Sequence, residues 1–269
     1  MKHIYIFKLI TFLVGGASVI VNSIDIGYAY FFNKPLFVHF YPIKKRLSRQ
    51  QKDFLKENIS FYKDLSDKHK SYFEHRLAIF MREYDFIGRE NFDITPEVKV
   101  LIACSYVKLT FGMRRHVTSV FNKIVIYPGT FYSMITKQYH KGEFNPGFKM
   151  IVFSWEDFLL GDVITNDNLN LGIHEFTHAL TFHGKKSKDI SASIFFKAYK
   201  QISIFLDDEK NLTKIKKSNY FREYALTNKL EFVAVIMEHF FEIPQDLQQQ
   251  FPLLYNKIER MLNYKSISN

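Results

Sequence analysis

The stretch Leu169-Asn170-Leu171-Gly172-Ile173-His174-Glu175-Phe176-Thr177-His178-Ala179-Leu180 constrains this chain more than any other. Its centre reads H-E-x-x-H. Four residues of α-helix turn through about 400°, so His174 and His178 share one face with an offset of about 40°. Their imidazoles can then reach one ion, and imidazole nitrogen suits Zn²⁺. Glu175 stands beside that ion, too close along the helix to be a natural third ligand. It is well placed to take a proton from a water on the ion. The same pattern also arises by chance, and a surface helix can carry histidine at i and i+4. The flanks speak against that here. Leu169, Leu171, Ile173, Phe176, Ala179 and Leu180 make the helix largely buried, and buried His and Glu need partners.

The rest of the chain reads as mainly helical. Helix signals cover Ser48 to Tyr62 and Ser71 to Tyr84, and Phe86-Ile87-Gly88 reads as a break. Thr95-Pro96-Glu97 starts a helix in which Val98 to Phe111 is almost continuously apolar, which predicts a central place in the core. Lys123-Ile124-Val125-Ile126-Tyr127, closed by Pro128-Gly129, predicts a strand. Tyr139 to Phe144 and Phe148 to Ser154 predict a hairpin around Asn145-Pro146-Gly147, with Ser154 capping a short helix from Trp155. Thr165 to Asn168 is a polar loop into the motif helix. Ile190 to Leu206 is an amphipathic helix, and Asp207 to Asn219 a charged loop or frayed helix. From Lys229 a strongly apolar helix runs to Pro244, and Gln245 to Tyr264 reads as one last amphipathic helix.

A catalytic zinc keeps three protein ligands and one open position. Two are found above, and the candidates for the third are Glu231, Glu238, His183 and His239. His183 lies about 500° round the helix from His178 and turns away. His239 points to a different face from Glu231. Glu231 and Glu238 are seven residues apart, about 700°, so they share an inward face with Ala234 and Val235. Two buried carboxylates suggest one metal ligand and one acceptor behind the ligands. Against that, Asn228 and Glu231 have the spacing of a capping box, and Glu238 could be an ordinary ion-paired glutamate.

At this point the chain resembles the zinc-dependent peptidases of the Mlc titration factor A family, gluzincins with H-E-x-x-H and a distant Glu. The matching stretches are Val98–Phe111, Ile124–Phe131, Ile151–Phe158, Asn168–Leu180 and Glu223–Pro244, within about residues 45 to 265. The resemblance implies an α+β fold: a mainly helical zincin-type domain with a small sheet beside the H-E-x-x-H helix. It implies His174, His178 and Glu231 as zinc ligands, Glu175 as general base and Tyr224 as a tyrosine assisting at the substrate carbonyl. It implies hydrolysis of a peptide or protein substrate and, as an alternative, a regulatory protein that captures a transcription factor or other partner around a structural zinc. Related members carry Asp where this chain has Thr181. The strand region Ile151–Ser154 is expected to offer an exposed edge to an extended peptide.

Residues 1–32 are compositionally separate from the metallopeptidase domain expected over 33–269. Leu9 to Val21 is apolar, Asn22, Ser23 and Asp25 interrupt, and Ile26 to Phe32 is apolar again. A membrane anchor, a cleaved signal peptide and an amphipathic helix compete, and the anchor is favoured. Lys34, Lys44, Lys45, Arg46 and Arg49 follow, which by the positive-inside rule places the remainder in the cytoplasm, tethered to the membrane; without a tether the expectation is a cytoplasmic protein. The net charge of +10 is spread and interleaved with acids, with no nucleic-acid-binding signature, so no nucleic acid partner is expected. Cys104 is the single cysteine, so no intrachain disulfide can form.

Overall fold

A computed structural model describes residues 23–163 and 169–266, together with residues 12, 16 and 19–21. The architecture is α+β and mainly helical, with a four-stranded sheet packed beside the motif helix.

The chain enters the core through α1 (Arg49–Asn58), α2 (Asp67–Glu83) and α3 (Pro96–Thr110). Thr95 caps α3 by accepting the Val98 N–H at 3.3 Å, with Pro96 in the first turn where its missing N–H costs nothing. Val98, Val100, Ile102, Ala103, Tyr106, Val107 and Leu109 are buried on every side of this helix, so it is central as its composition predicts. Its far end is closed by Arg76 of α2, whose side chain is fully buried. The guanidinium donates to the carbonyls of Thr110 at 2.7 Å, Phe111 at 3.1 Å and Met113 at 2.7 Å, to Val38 O at 3.2 Å and to the Tyr41 hydroxyl at 2.6 Å. Carbonyls left over at a helix end are thereby satisfied by a cation from another element.

The sheet strands are β1 (Asp85–Gly88), β2 (Lys123–Tyr127), β5 (Gly142–Asn145) and β6 (Met150–Ser154), and a separate hairpin pairs β3 (Phe131–Ser133) with β4 (Gln138–His140). The order is β1-β2-β6-β5, parallel except for β5, which runs antiparallel to β6. Three expectations need correcting. Phe86-Ile87-Gly88 is not a break but most of β1, held parallel to β2. Tyr139 to Phe144 is divided at Lys141 between two sheets. Ile151–Ser154 is not an edge: β6 is paired on both sides, and the edges are β1 and, beside β6, β5.

Helix α4 (Trp155–Val163) follows β6 and leads toward the motif helix α5 (Leu171–Lys186). The loop expected over Thr165 to Asn168 lies outside the described residues. Phe176 drives its ring among Phe80, Tyr106, Phe121 and Phe153, seating α5 on α2, α3 and the sheet. Helix α6 (Ile190–Asp207) packs along α5, and α7 (Glu209–Ser218) is a true helix, capped by Asp208, where a frayed segment was one expectation. The apolar helix α8 (Lys229–Glu242) lies across α5, with Val233 to Met237 buried. The expected last helix is two, α9 (Pro244–Gln250) and α10 (Pro252–Met261), because Pro252 removes a backbone donor and clashes with a continuing turn.

Residues 23–32 are helical. Asp25 is buried there, pairs with Arg114 and accepts the Leu36 N–H at 3.0 Å, which latches this segment to the body. Among the described residues no helix is long and apolar enough to cross a membrane, and most of the expected anchor over 1–32 lies outside them.

Candidate metal centre and cleft

Helix α5 begins at Asn170, whose side chain accepts the Ile173 N–H at 2.9 Å and fixes the rotation of the helix. That rotation turns His174 and His178 toward α8. Asn228 caps α8 by accepting from Leu230 and Glu231 N–H at 2.9 and 3.0 Å, so Glu231 sits in the first turn, facing the histidines. The Asn228 cap and the carboxylate's approach to α5 therefore coexist. Among the described residues His174, His178 and Glu231 form the one group of three whose ligand atoms lie within 4.8 Å of one another. His174 Nε2 is 3.1 Å from His178 Nε2 and 3.0 Å from Glu231 Oε2, and His178 Nε2 is 3.4 Å from Glu231 Oε1. Donors around a four-coordinate zinc stand about 3.3 Å apart, so this donor set fits a single ion of that kind.

Behind it, His174 Nδ1 meets Glu238 Oε1 at 2.7 Å. A carboxylate only accepts, so Nδ1 carries a hydrogen, while Nε2 points at Glu231 and His178, where a bound metal would take the place of the Nε2 hydrogen. Glu238 is buried and receives two more contacts. Asn170 N–H donates to Oε2 at 3.0 Å, and Arg222 grips both oxygens at 2.7 and 3.1 Å. One carboxylate thus locks the start of α5, the His174 ring and the loop before α8. Arg222 escaped the sequence reading. A lone arginine in a loop carries no periodic signal, and its partner is sixteen residues on.

The electrostatics are those of three acids and two imidazoles in a largely buried site. Burial alone would lower the pKa of His174, but the carboxylates of Glu231 and Glu238 outweigh it and lift it to about 10. Burial opposes the charge on Glu231 too, yet hydrogen bonds from the two histidines hold it below the usual carboxylate range. Burial pushes the Glu175 carboxyl up, against the pull of His174 and His178. Its Oε2 accepts the Phe144 N–H of the edge strand at 2.9 Å. That approach needs Gly142: a Cβ there would stand 2.7 Å from Glu175 Oε1 and 2.6 Å from Leu171 Cδ1.

Tyr224 lies in a tight turn, Glu223–Leu226, its ring 6.2 Å from the His174 ring and half exposed. Burial and the nearby Glu231 carboxylate raise its pKa, so it carries its proton at neutral pH. Tyr224, Glu175, His174 and Arg222 line a cavity of about 540 Å³ that reaches Lys141, Asp157 and Leu160. A second cavity of about 440 Å³ opens beside His178 and Glu231. The other two candidates lie apart. His239 is buried with Nδ1 2.8 Å from Val235 O, its own helix, and packs on Tyr220 and Phe221. His183 is outside the ligand cluster, as its angle on the helix predicts.

An H-E-x-x-H helix facing a glutamate from a second helix, beneath a mixed sheet whose edge strand borders the cleft, is the arrangement of a metallopeptidase. Comparison with known proteins makes this specific. A profile of the glucose-regulated metallo-peptidase M90 family matches residues 42–263, and the chain belongs to that family. An uncharacterized protein of Synechocystis is 25% identical over 228 residues, covering 77% of this chain and 80% of the relative. Mlc titration factor A of Yersinia pestis and that of Yersinia pseudotuberculosis are each 22% identical over 196 residues, covering 65% of this chain and 70% of theirs.

Proposed function

We propose that the chain is a zinc-dependent peptidase, with His174, His178 and Glu231 as ligands, Glu175 as general base and Tyr224 as a donor to the substrate carbonyl oxygen. The observation that carries this reading is Glu175: a structural zinc site has no need of an acid beside its ligands. A zinc ion in this site lowers the pKa of water and polarises a carbonyl. Glu175 accepts the proton of the attacking water and returns it to the leaving amine, and its burial suits a base working near neutral pH. The Phe144 N–H holds one Glu175 oxygen, which leaves the other to face the cleft. The protonated Tyr224 hydroxyl supplies a hydrogen bond as charge develops on the carbonyl oxygen. Glu238 fixes the tautomer of His174, and Arg222 keeps Glu238 in place.

The test is a comparison of peptides cleaved in a proteome digest by the wild-type chain and by Glu175→Gln, both loaded with zinc. Fragments that vanish with Glu175→Gln support the peptidase; identical digests refute it. A regulatory protein partner is the second reading, supported by relatives named for titrating another factor. Attachment of residues 1–32 to a membrane is proposed on the apolar character of that segment, in which Ile24, Ile26, Tyr30 and Phe31 are exposed.

A further inference from the structure

The two cavities flanking the ligand cluster differ in chemistry. The one on the Tyr224 side carries Lys141, Asp157, Arg222 and Glu238. The one on the His178 side is walled mainly by Phe144, Phe182, Phe196, Tyr199 and Leu230, with Lys185 also on its lining, and it meets the cluster directly at His178 and Glu231. Thr181 is also on the lining, and its hydroxyl donates to Thr177 O at 2.9 Å. The walls are held without an occupant. Phe144 stands edge-on to Phe182 at 5.7 Å, Lys186 Nζ covers the Phe182 ring at 4.2 Å, and Phe196 stacks on Tyr199 at 5.6 Å. Gly184 lets α6 come this close, since a Cβ there would stand 2.9 Å from Phe196 Cβ.

We propose that the cavity formed by Phe144, Phe182, Phe196, Tyr199 and Leu230 beside His178 takes a large apolar side chain of the substrate next to the scissile bond, and so sets cleavage preference. This rests on the peptidase reading above. The walls come from four separate elements, β5, α5, α6 and α8, and Leu230 of α8 stands immediately before the proposed ligand Glu231. An apolar side chain seated there holds its backbone against the edge strand and within reach of the cluster. A charged side chain would lose much of its hydration against these rings, and Lys185 on the lining makes a cationic one the least favoured.

Binding calorimetry on the zinc-loaded full chain tests this without turnover. The probes are acetohydroxamate, 4-methylpentanohydroxamate and phenylacetohydroxamate. The apolar arms should tighten binding about 10-fold or more over acetohydroxamate, and in Leu230→Ser and Phe196→Ser that gain should shrink to about threefold or less. Leu230 is 44% exposed, so its replacement spares the core. Leu160→Ser, in the opposite cavity, should keep the full gain. No gain in the wild type, or a gain lost only in Leu160→Ser, overturns the assignment while leaving the metal site standing. If acetohydroxamate itself does not bind, the metal reading fails and this inference falls with it.

Discussion

Glu238 is not a ligand in the proposed set, yet its replacement should be felt at the metal. Its Oε1 receives His174 Nδ1 at 2.7 Å, and its two oxygens also hold Arg222 and the Asn170 N–H. Removing such a partner behind a ligand typically costs 10- to 100-fold in metal affinity, about 1.4–2.7 kcal/mol. Glu238→Ala should therefore still bind zinc, but more weakly by that factor. It also strands the buried Asn170 N–H, which costs about 1–3 kcal/mol of fold stability. Glu238→Gln should fall between wild type and Ala. Its amide oxygen can accept from Nδ1, while its NH₂ confronts two donors. Glu231→Ala removes a donor of the cluster itself and should lose the ion on dialysis. The assay is zinc retention by native mass spectrometry, with affinities from competition against a chromophoric chelator. Zinc retained by Glu231→Ala and lost by Glu238→Ala would exchange their roles. An affinity unchanged in Glu238→Ala would refute the reasoning that Nδ1 orientation matters.

Tyr224→Phe should keep its zinc and its melting temperature while kcat on the best peptide falls by about 10²–10³, and an unchanged kcat/KM with full zinc content refutes the donor role. Burial and the neighbouring Arg76 push His39 and His116 down to about 2, with His69 and Lys68 also facing His39, and His75 facing His116. Both stay neutral in the fold but take protons once unfolded near pH 6.5, so stability is intact above that value and lost as pH falls below it. Each costs up to about 1.4 kcal/mol per pH unit, and about half that after screening, so denaturant midpoints should drop between pH 6.5 and 5 and drop less in His116→Leu. The full chain should sediment with membranes and resist alkaline carbonate, with release on deletion of residues 1–32; extraction of the intact chain by carbonate refutes an integral anchor.

Periodicity explains how much was legible beforehand. Helical angles alone put His174 and His178 on one face and Glu231 and Glu238 on another, the choice of Glu231 comes only with the family resemblance, and the apolar run of α3 announces its own burial. What escaped is set by pairing across long distances. Four residues ending in glycine carry too little pattern to reveal β1, whose partner lies 38 positions on, as Asp85 meets Lys123. The edge position of β5 depends on strand order, which no local run encodes, so the apolar Ile151–Ser154 was given a place that its burial between two neighbours excludes. Arg222 and Arg76 carry no signal in the sequence, because the atoms that hold them belong to other segments.

Arg76 has a kinetic consequence. Helix ends usually fray, and their amide protons exchange through small local openings. The last turn of α3 is held by a cation 34 to 37 residues earlier in the chain, and that cation also holds Val38 and Tyr41. This end cannot open unless α2 and the strand of chain around residue 40 let go together. Its amides should therefore exchange as slowly as those in the middle of the helix, and the three segments should behave as one cooperative unit in a protein whose helices would otherwise loosen from their tips.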